Sequence, residues 1–354
     1  MRFRRFLAKW EPLLFPVCAG VLLAFPRETS AYALAGVELC YRSVIPSLLP
    51  FFVLTALFRE RALPLRLGRL LEPVFRRLFR LSGPGGSVLL LGLVSGYPVG
   101  AAAASALYRS GGCGKEEAQR LLVAANNCGP AFLLGILGGR VFGRAEPAFC
   151  LLAIHVCVTL WLALLLGALP GPEPEAATAR FTVTPLSAAF PRAVARAGES
   201  VLTVCAYVIL FSVPVRFLPE LPLLRGLVEL TGGLAALEGF TPSNAAIAAF
   251  LLGWGGLSVC AQVLRHAQEA GLRMLPYVAW RLLHGLVSAL AALLCFTRPL
   301  LLLPLAGVLA CVIFAVRGRN RGQRGVYWGR GESHDVSEKR GAGLHLLPAL
   351  RTRR

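Results

Sequence analysis

Two long apolar stretches of this chain are interrupted where a membrane helix should run smoothly. Gly96-Tyr97-Pro98-Val99-Gly100 lies inside the run 86–108, and Gly253-Trp254-Gly255-Gly256-Leu257-Ser258 lies inside the run 245–264. Glycine and proline weaken helices, and lipid tolerates a broken helix only where the freed backbone groups face protein or a wet cavity. Such interruptions, placed in corresponding halves of a membrane protein, point to the site where a transporter holds its solute.

The rest of the composition agrees with a membrane setting. Of 354 residues, 56% are hydrophobic and only 16% charged, against about 25% charged in a soluble domain. The run 148–169 has His155 as its only ionisable group besides thiols, and 299–316 carries no charge; both approach the ~20 residues a crossing needs. The expectation is an all-α polytopic membrane protein of about eight to ten segments, with an internal two-fold repeat and two broken or re-entrant hairpins. Residues 12–26 read as a retained first helix: they follow basic residues as a signal peptide would, but no small-residue cleavage site follows.

The net charge is +19, nearly all arginine. It clusters before the first apolar run, in the segment 59–80, and in the tail 317–354. Nucleic-acid binding is one reading of such charge, but in a polytopic protein the positive-inside bias is the better one. It places the N-terminus, the 59–80 loop and the tail in the cytoplasm. Apolar residues of 63–78 recur at helical spacing with arginines on the other face, as in an amphipathic surface helix. The ten cysteines show no CxxC spacing, so neither a disulfide framework nor a metal site is indicated. No cofactor is expected, and the motifs of common enzyme sites are absent.

Residues 170–185, rich in proline and glutamate, read as a linker. It separates a first repeat, 31–169, from a second, 186–316, after an N-terminal helical segment, 1–30; the basic tail beyond 317 reads as disordered. At an offset of 157 residues Gly96 falls on Gly253, Glu72 on Glu229 and Asn127 on His284, and the order of broken helix, polar turn and polar-centred helix repeats. Copies that cross the membrane an odd number of times would be inverted, a common basis for alternating access.

Polar groups inside apolar runs are costly and default to functional candidates. The substrate-binding candidates are Gly96, Tyr97, Pro98, Asn126, Asn127, Glu229, Thr231, Gly255, Gly256, Ser258, Gln262 and Arg281. The asparagines of Asn126-Asn127-Cys128-Gly129-Pro130 both donate and accept, and Pro130 frees a carbonyl one turn back. Glu229 precedes Thr231-Gly232-Gly233, which suggests a further unwound point. Gln262 shares a helical face with Ser258. Tyr97 and Trp254 suit either packing or stacking on a ring. Helix N-termini together with Arg281 favour an anionic solute. His155 reads as a packed helix residue.

Ser95 to Ala101, Asn126 to Pro130, Glu229 to Gly233 and Gly253 to Gln262 together resemble the signature blocks of the YlbJ (SpoVV) family of sporulation integral membrane proteins, in the nucleoside-recognition or Gate superfamily. The resemblance covers about residues 10–315; Trp254 stands where the family would have phenylalanine. It implies hairpins similar to those of concentrative nucleoside transporters. It also implies a role in endospore formation, moving dipicolinic acid from the mother cell toward the forespore, in the mother-cell-derived outer forespore membrane. The partners expected are a small anionic solute, the lipid bilayer and a coupling ion. A nucleoside, or a non-transporting scaffold role, remains the alternative reading.

Overall fold

A computed structural model describes residues 16–169 and 184–328, together with Pro12, Gly171, Pro172 and Pro174. The linker 170–185 and the tail beyond 328 therefore lie mostly outside the described residues. Among the described residues the chain is helical throughout. Helix α1 (16–24) bends at Phe25 into α2 (Pro26–Leu39), which continues through a widened π-type turn, Cys40–Val44, into α3 (Ile45–Glu60). The short helices α4 (Leu63–Leu70) and α5 (Glu72–Val74) and the π-type turn Phe75–Phe79 lead to α6 (Gly83–Ser95). Then come α7 (Val99–Arg109), α8 (Lys115–Ala124), α9 (Pro130–Leu133) with its π-type extension Leu134–Val141, and α10 (Ala145–Ala168).

The second half consists of α11 (Leu186–Val215), α12 (Pro222–Val228), α13 (Leu230–Ala235), α14 (Pro242–Trp254), α15 (Gly256–Glu269), α16 (Met274–Thr297) and α17 (Leu302–Trp328). Shifted by 157 residues, α2–α3 falls on 183–217 beside α11, α6 on 240–252 beside α14, and α10 on 302–325 beside α17. The helix order of the first half thus recurs in the second.

Six helices among the described residues are long and apolar enough to cross a membrane, or seven if one bent pair counts as a span. That is fewer than the eight to ten segments read from hydropathy. The stretches 117–139 and 221–237 are each broken into short helices, at the asparagine segment 126–130 and at Glu229, where the sequence placed an interruption and an unwound point. The bent pair is Glu72–Phe79 with Gly83–Ser95, meeting at 84°. The second interruption is not a hairpin: α14 and α15 form one apolar span of 28 residues, Pro242–Glu269, broken at Gly255. The last helix runs on through 328, so the expectation of disorder from 317 gives way to helix as far as that residue.

Close backbone approaches fix the arrangement. A Cβ on Gly92 or Gly100 would lie 1.7 or 1.8 Å from the Ala125 carbonyl oxygen, so α6 and α7 both rest on the end of α8. A Cβ on Gly253 would lie 2.5 Å from Gly285, which sets α14 against α16. Helices α2–α3 and α11 lie antiparallel: Glu28 reaches Arg216 at one end, and the Thr184 amide donates to the Glu60 carbonyl at the other. Arg317 donates to the Leu78 carbonyl, which puts the start of the basic tail at the same end of the molecule as the arginine-rich segment.

Candidate functional site

The first break is built by chain chemistry that can be followed residue by residue. Ser82 caps α6, its hydroxyl accepting from the Gly85 amide. The Ser82 amide and hydroxyl in turn donate to Oε1 of the buried Glu117, at 2.7 and 2.8 Å. Burial pushes the Glu117 carboxyl above its usual range, and the Ser82 bonds partly offset this. Helix α6 ends at Gly96, whose φ of +83° is a left-handed conformation that glycine adopts without a side-chain clash. A Cβ there would also lie 2.6 Å from the Gly129 amide, so the two breaks of the first half touch each other. Tyr97 and Pro98 form the turn, joined by a cis peptide, and α7 begins at Val99.

The second break is Gly255, with φ +88°, and Gly256, with φ +82°. Trp254 anchors it by donating its indole N–H to the Leu227 carbonyl at 3.0 Å. Glu229 is the extended residue between α12 and α13, and its carboxylate accepts from the Thr231 and Gly232 amides. It therefore caps α13, and the unwound point read from Thr231-Gly232-Gly233 is present.

The two interruptions meet. The Tyr97 hydroxyl donates to the Leu252 carbonyl at 2.7 Å, and a Cβ on Gly255 would lie 3.5 Å from the Tyr97 ring. Beside this contact is one small hollow. Ser95, Gly96 and Tyr97 line it from the first break, and Cys128 and Gly129 from the asparagine segment. Glu229 and Thr231 line it from the unwound point, and Ser258 and Gln262 from α15. Leu48 of α3 and Val204 and Val208 of α11 close its apolar side. Ser95 Oγ and Gln262 Oε1 are buried there without a hydrogen-bond partner among the described residues. Two unsatisfied polar atoms facing one cavity cost stability unless something polar fills it.

Asn126, Asn127 and Arg281 do not line this hollow. They lie behind Tyr97 in a buried polar network that sequence spacing did not reveal. Arg281, only 1% exposed, donates to Asn127 Oδ1 at 3.3 Å, to the Leu252 carbonyl at 3.2 Å and to the Tyr97 hydroxyl. Its guanidinium also sits 5.4 Å from the Tyr97 ring centroid. Among the described residues no carboxylate lies within ion-pair distance of it, so its charge is held by neutral oxygens and a ring. Asn126 donates to the Tyr277 hydroxyl at 2.8 Å. The Thr159 hydroxyl of α10 lies 3.1 Å from both Asn127 Oδ1 and His284 Nε2.

His155, read as a packed helix residue, is packed, with its ring edge-on to His284 at 4.6 Å. It also accepts a hydrogen bond from the Cys128 amide at 3.2 Å, which fixes the unwound asparagine segment. Tyr277 and Thr159 carried no sequence signal, since single polar residues in apolar helices are common. Of the twelve candidates, Gly96, Tyr97, Glu229, Thr231, Ser258 and Gln262 border the hollow; Pro98, Gly255 and Gly256 belong to the two breaks but do not line it. Among the described residues no group of three or more His, Cys, Asp or Glu could hold a metal.

Residues 41–183 match the family model described as "Gate: Nucleoside recognition". The chain is 29% identical over 328 residues to the sporulation integral membrane protein YlbJ of Bacillus subtilis (strain 168), covering 79% of this chain and 80% of that protein. No solved structure matches the chain.

Proposed function

From the premise that this chain is a polytopic membrane relative of YlbJ with a Gate match in its first half, we propose that it is a carrier and not an enzyme. Its solute is a small organic anion, dipicolinic acid, taken from the mother cell toward the forespore across the outer forespore membrane. The observation that carries the reading is the single hollow at which both helix breaks converge, bordered by the unsatisfied Ser95 and Gln262 oxygens.

Three features support an anion. Helices α7 and α15 and the helix from Pro130 all begin beside the hollow, where their partial positive ends favour negative charge. Arg281 lies one ring behind it with no acidic partner among the described residues. At ~8 Å and an effective dielectric near 20, such a charge attracts a unit anion by roughly 2 kcal/mol. The Tyr97 ring at the wall offers a stacking surface to a flat solute. The recurrence of helix order at 157 residues supports an internal duplication of the Gate-like unit, and Arg317 against Leu78 supports a shared cytoplasmic end for the loop and tail.

A nucleoside is the second reading. It is favoured by the Glu229 carboxylate in the wall, which suits sugar hydroxyls, and by the Gate description. Uptake into proteoliposomes decides between them. The proposal expects dipicolinate flux that excess uridine does not inhibit. Uridine flux without dipicolinate flux would favour the nucleoside, and no flux of either would leave a scaffold role.

A further inference from the structure

A second small cavity lies along the same seam between α3 and α11 that closes the central hollow. On α3 the seam passes from Leu48 at the hollow to Phe52 and Thr55 in the second cavity, and then to Arg59. On α11 it passes from Val208 and Val204 back to Ser200 and Arg196. At 1.5 Å per helical residue, the arginines stand roughly 12–16 Å from the hollow, toward the end where α3 meets the arginine-rich segment. The first break touches both cavities, with Tyr97 in one and Val99 in the other.

The charge of this second cavity is positive and only partly balanced. Arg196 is paired with Glu60 at 2.6 Å, and the same Glu60 carboxylate accepts from the Thr184 hydroxyl at 3.1 Å. Arg59 makes no ion pair among the described residues. Behind it stand two small hydroxyls, Thr55 and Ser200, in an otherwise apolar lining. A cleft with low-dielectric walls and one sign of charge at its mouth concentrates ions of the opposite sign.

We infer that this cavity is an anion-selective access vestibule, in which Arg59 receives a carboxylate solute before it moves along the α3–α11 seam to the central hollow. The inference rests on the carrier reading for its destination, but the vestibule itself is testable without flux. Ser200→Cys protein in phosphatidylcholine liposomes would be labelled with sulfonate-bearing and ammonium-bearing methanethiosulfonates, with native cysteines distinguished by peptide mass spectrometry.

The sulfonate reagent should react faster. Arg59→Gln should lower the sulfonate-to-ammonium rate ratio by roughly tenfold, the low end of electrostatic focusing. Arg59→Lys should keep the ratio, and dipicolinate should slow the labelling. An unreactive thiol, or a ratio that Arg59→Gln leaves unchanged, would overturn the vestibule. So would slowing that needs phosphatidylglycerol in the liposomes and not dipicolinate, because the cleft would then be a lipid headgroup seat. Protection by dipicolinate without any flux would keep the vestibule and remove the carrier reading; flux with an unmoved ratio would do the reverse.

Discussion

Replacing Tyr97 with phenylalanine tests the contact on which the meeting of the two breaks depends. The hydroxyl donates to the Leu252 carbonyl at 2.7 Å and accepts from Arg281, while the ring stays in place in the variant. The first bond is neutral and worth about 1 kcal/mol net; the second is charge-assisted and worth about 2 kcal/mol. Arg281 keeps the Leu252 carbonyl and Asn127 Oδ1, so it is not left bare. The expected loss is about 3 kcal/mol, or roughly 6 °C at about 2 °C per kcal/mol for a chain of this size. Intrinsic-fluorescence melting of the detergent-purified protein reads it. Tyr41→Phe is the control, since Tyr41 is largely exposed and its hydroxyl makes no hydrogen bond among the described residues. A Tyr97→Phe melt indistinguishable from that control would refute the claim that this hydroxyl ties the halves together.

Other consequences are equally direct. Gly100→Ala places a methyl 1.8 Å from the Ala125 carbonyl oxygen and should abolish the monodisperse folded peak in size-exclusion chromatography, whereas Gly139→Ala, with open space around it, should leave the peak intact. Trp254→Phe should cost about 1 kcal/mol by leaving the Leu227 carbonyl without its indole donor, read as a small drop in melting temperature. The buried Glu117 binds its proton more tightly in the folded chain than in the unfolded one, so its contribution is fully present below the ordinary carboxyl value of 4.5 and is lost as pH rises through the higher folded value. Melting temperature should therefore fall less steeply from pH 4.5 upward in Glu117→Gln than in the unaltered protein; parallel curves would contradict this.

The sequence made the breaks legible because glycine and proline act locally. Gly96 and Gly255 need backbone conformations that other residues resist, and that demand is written in the residue itself. The angle at each break was not legible. It depends on what the flanking helices pack against: Gly253 on Gly285 sets α14 against α16, with α14 and α15 one span, while Gly92 and Gly100, on either side of Gly96, both rest on the Ala125 carbonyl. Glu229 was recognised as an unwound point because Thr231-Gly232-Gly233 follows it. The network behind Tyr97 was half legible. Asn127 and His284 coincide at the 157-residue offset, but nothing in the sequence shows that Thr159 bridges them. Asn126, Asn127 and Arg281 were read as solute-binding groups, but the partners they have here are Tyr277, Thr159 and Tyr97 within the chain, set by long-range packing that spacing does not encode.

The central claim is that a cavity between two helix breaks holds a small anion under the field of a buried, unbalanced arginine. Equilibrium titration of dipicolinate onto purified protein, with Arg281→Gln alongside it at matched secondary structure, tests this most directly. A field of roughly 2 kcal/mol predicts saturable binding that weakens about thirtyfold in the variant. Equal affinity for both proteins, or no saturable binding to the unaltered one, would contradict it.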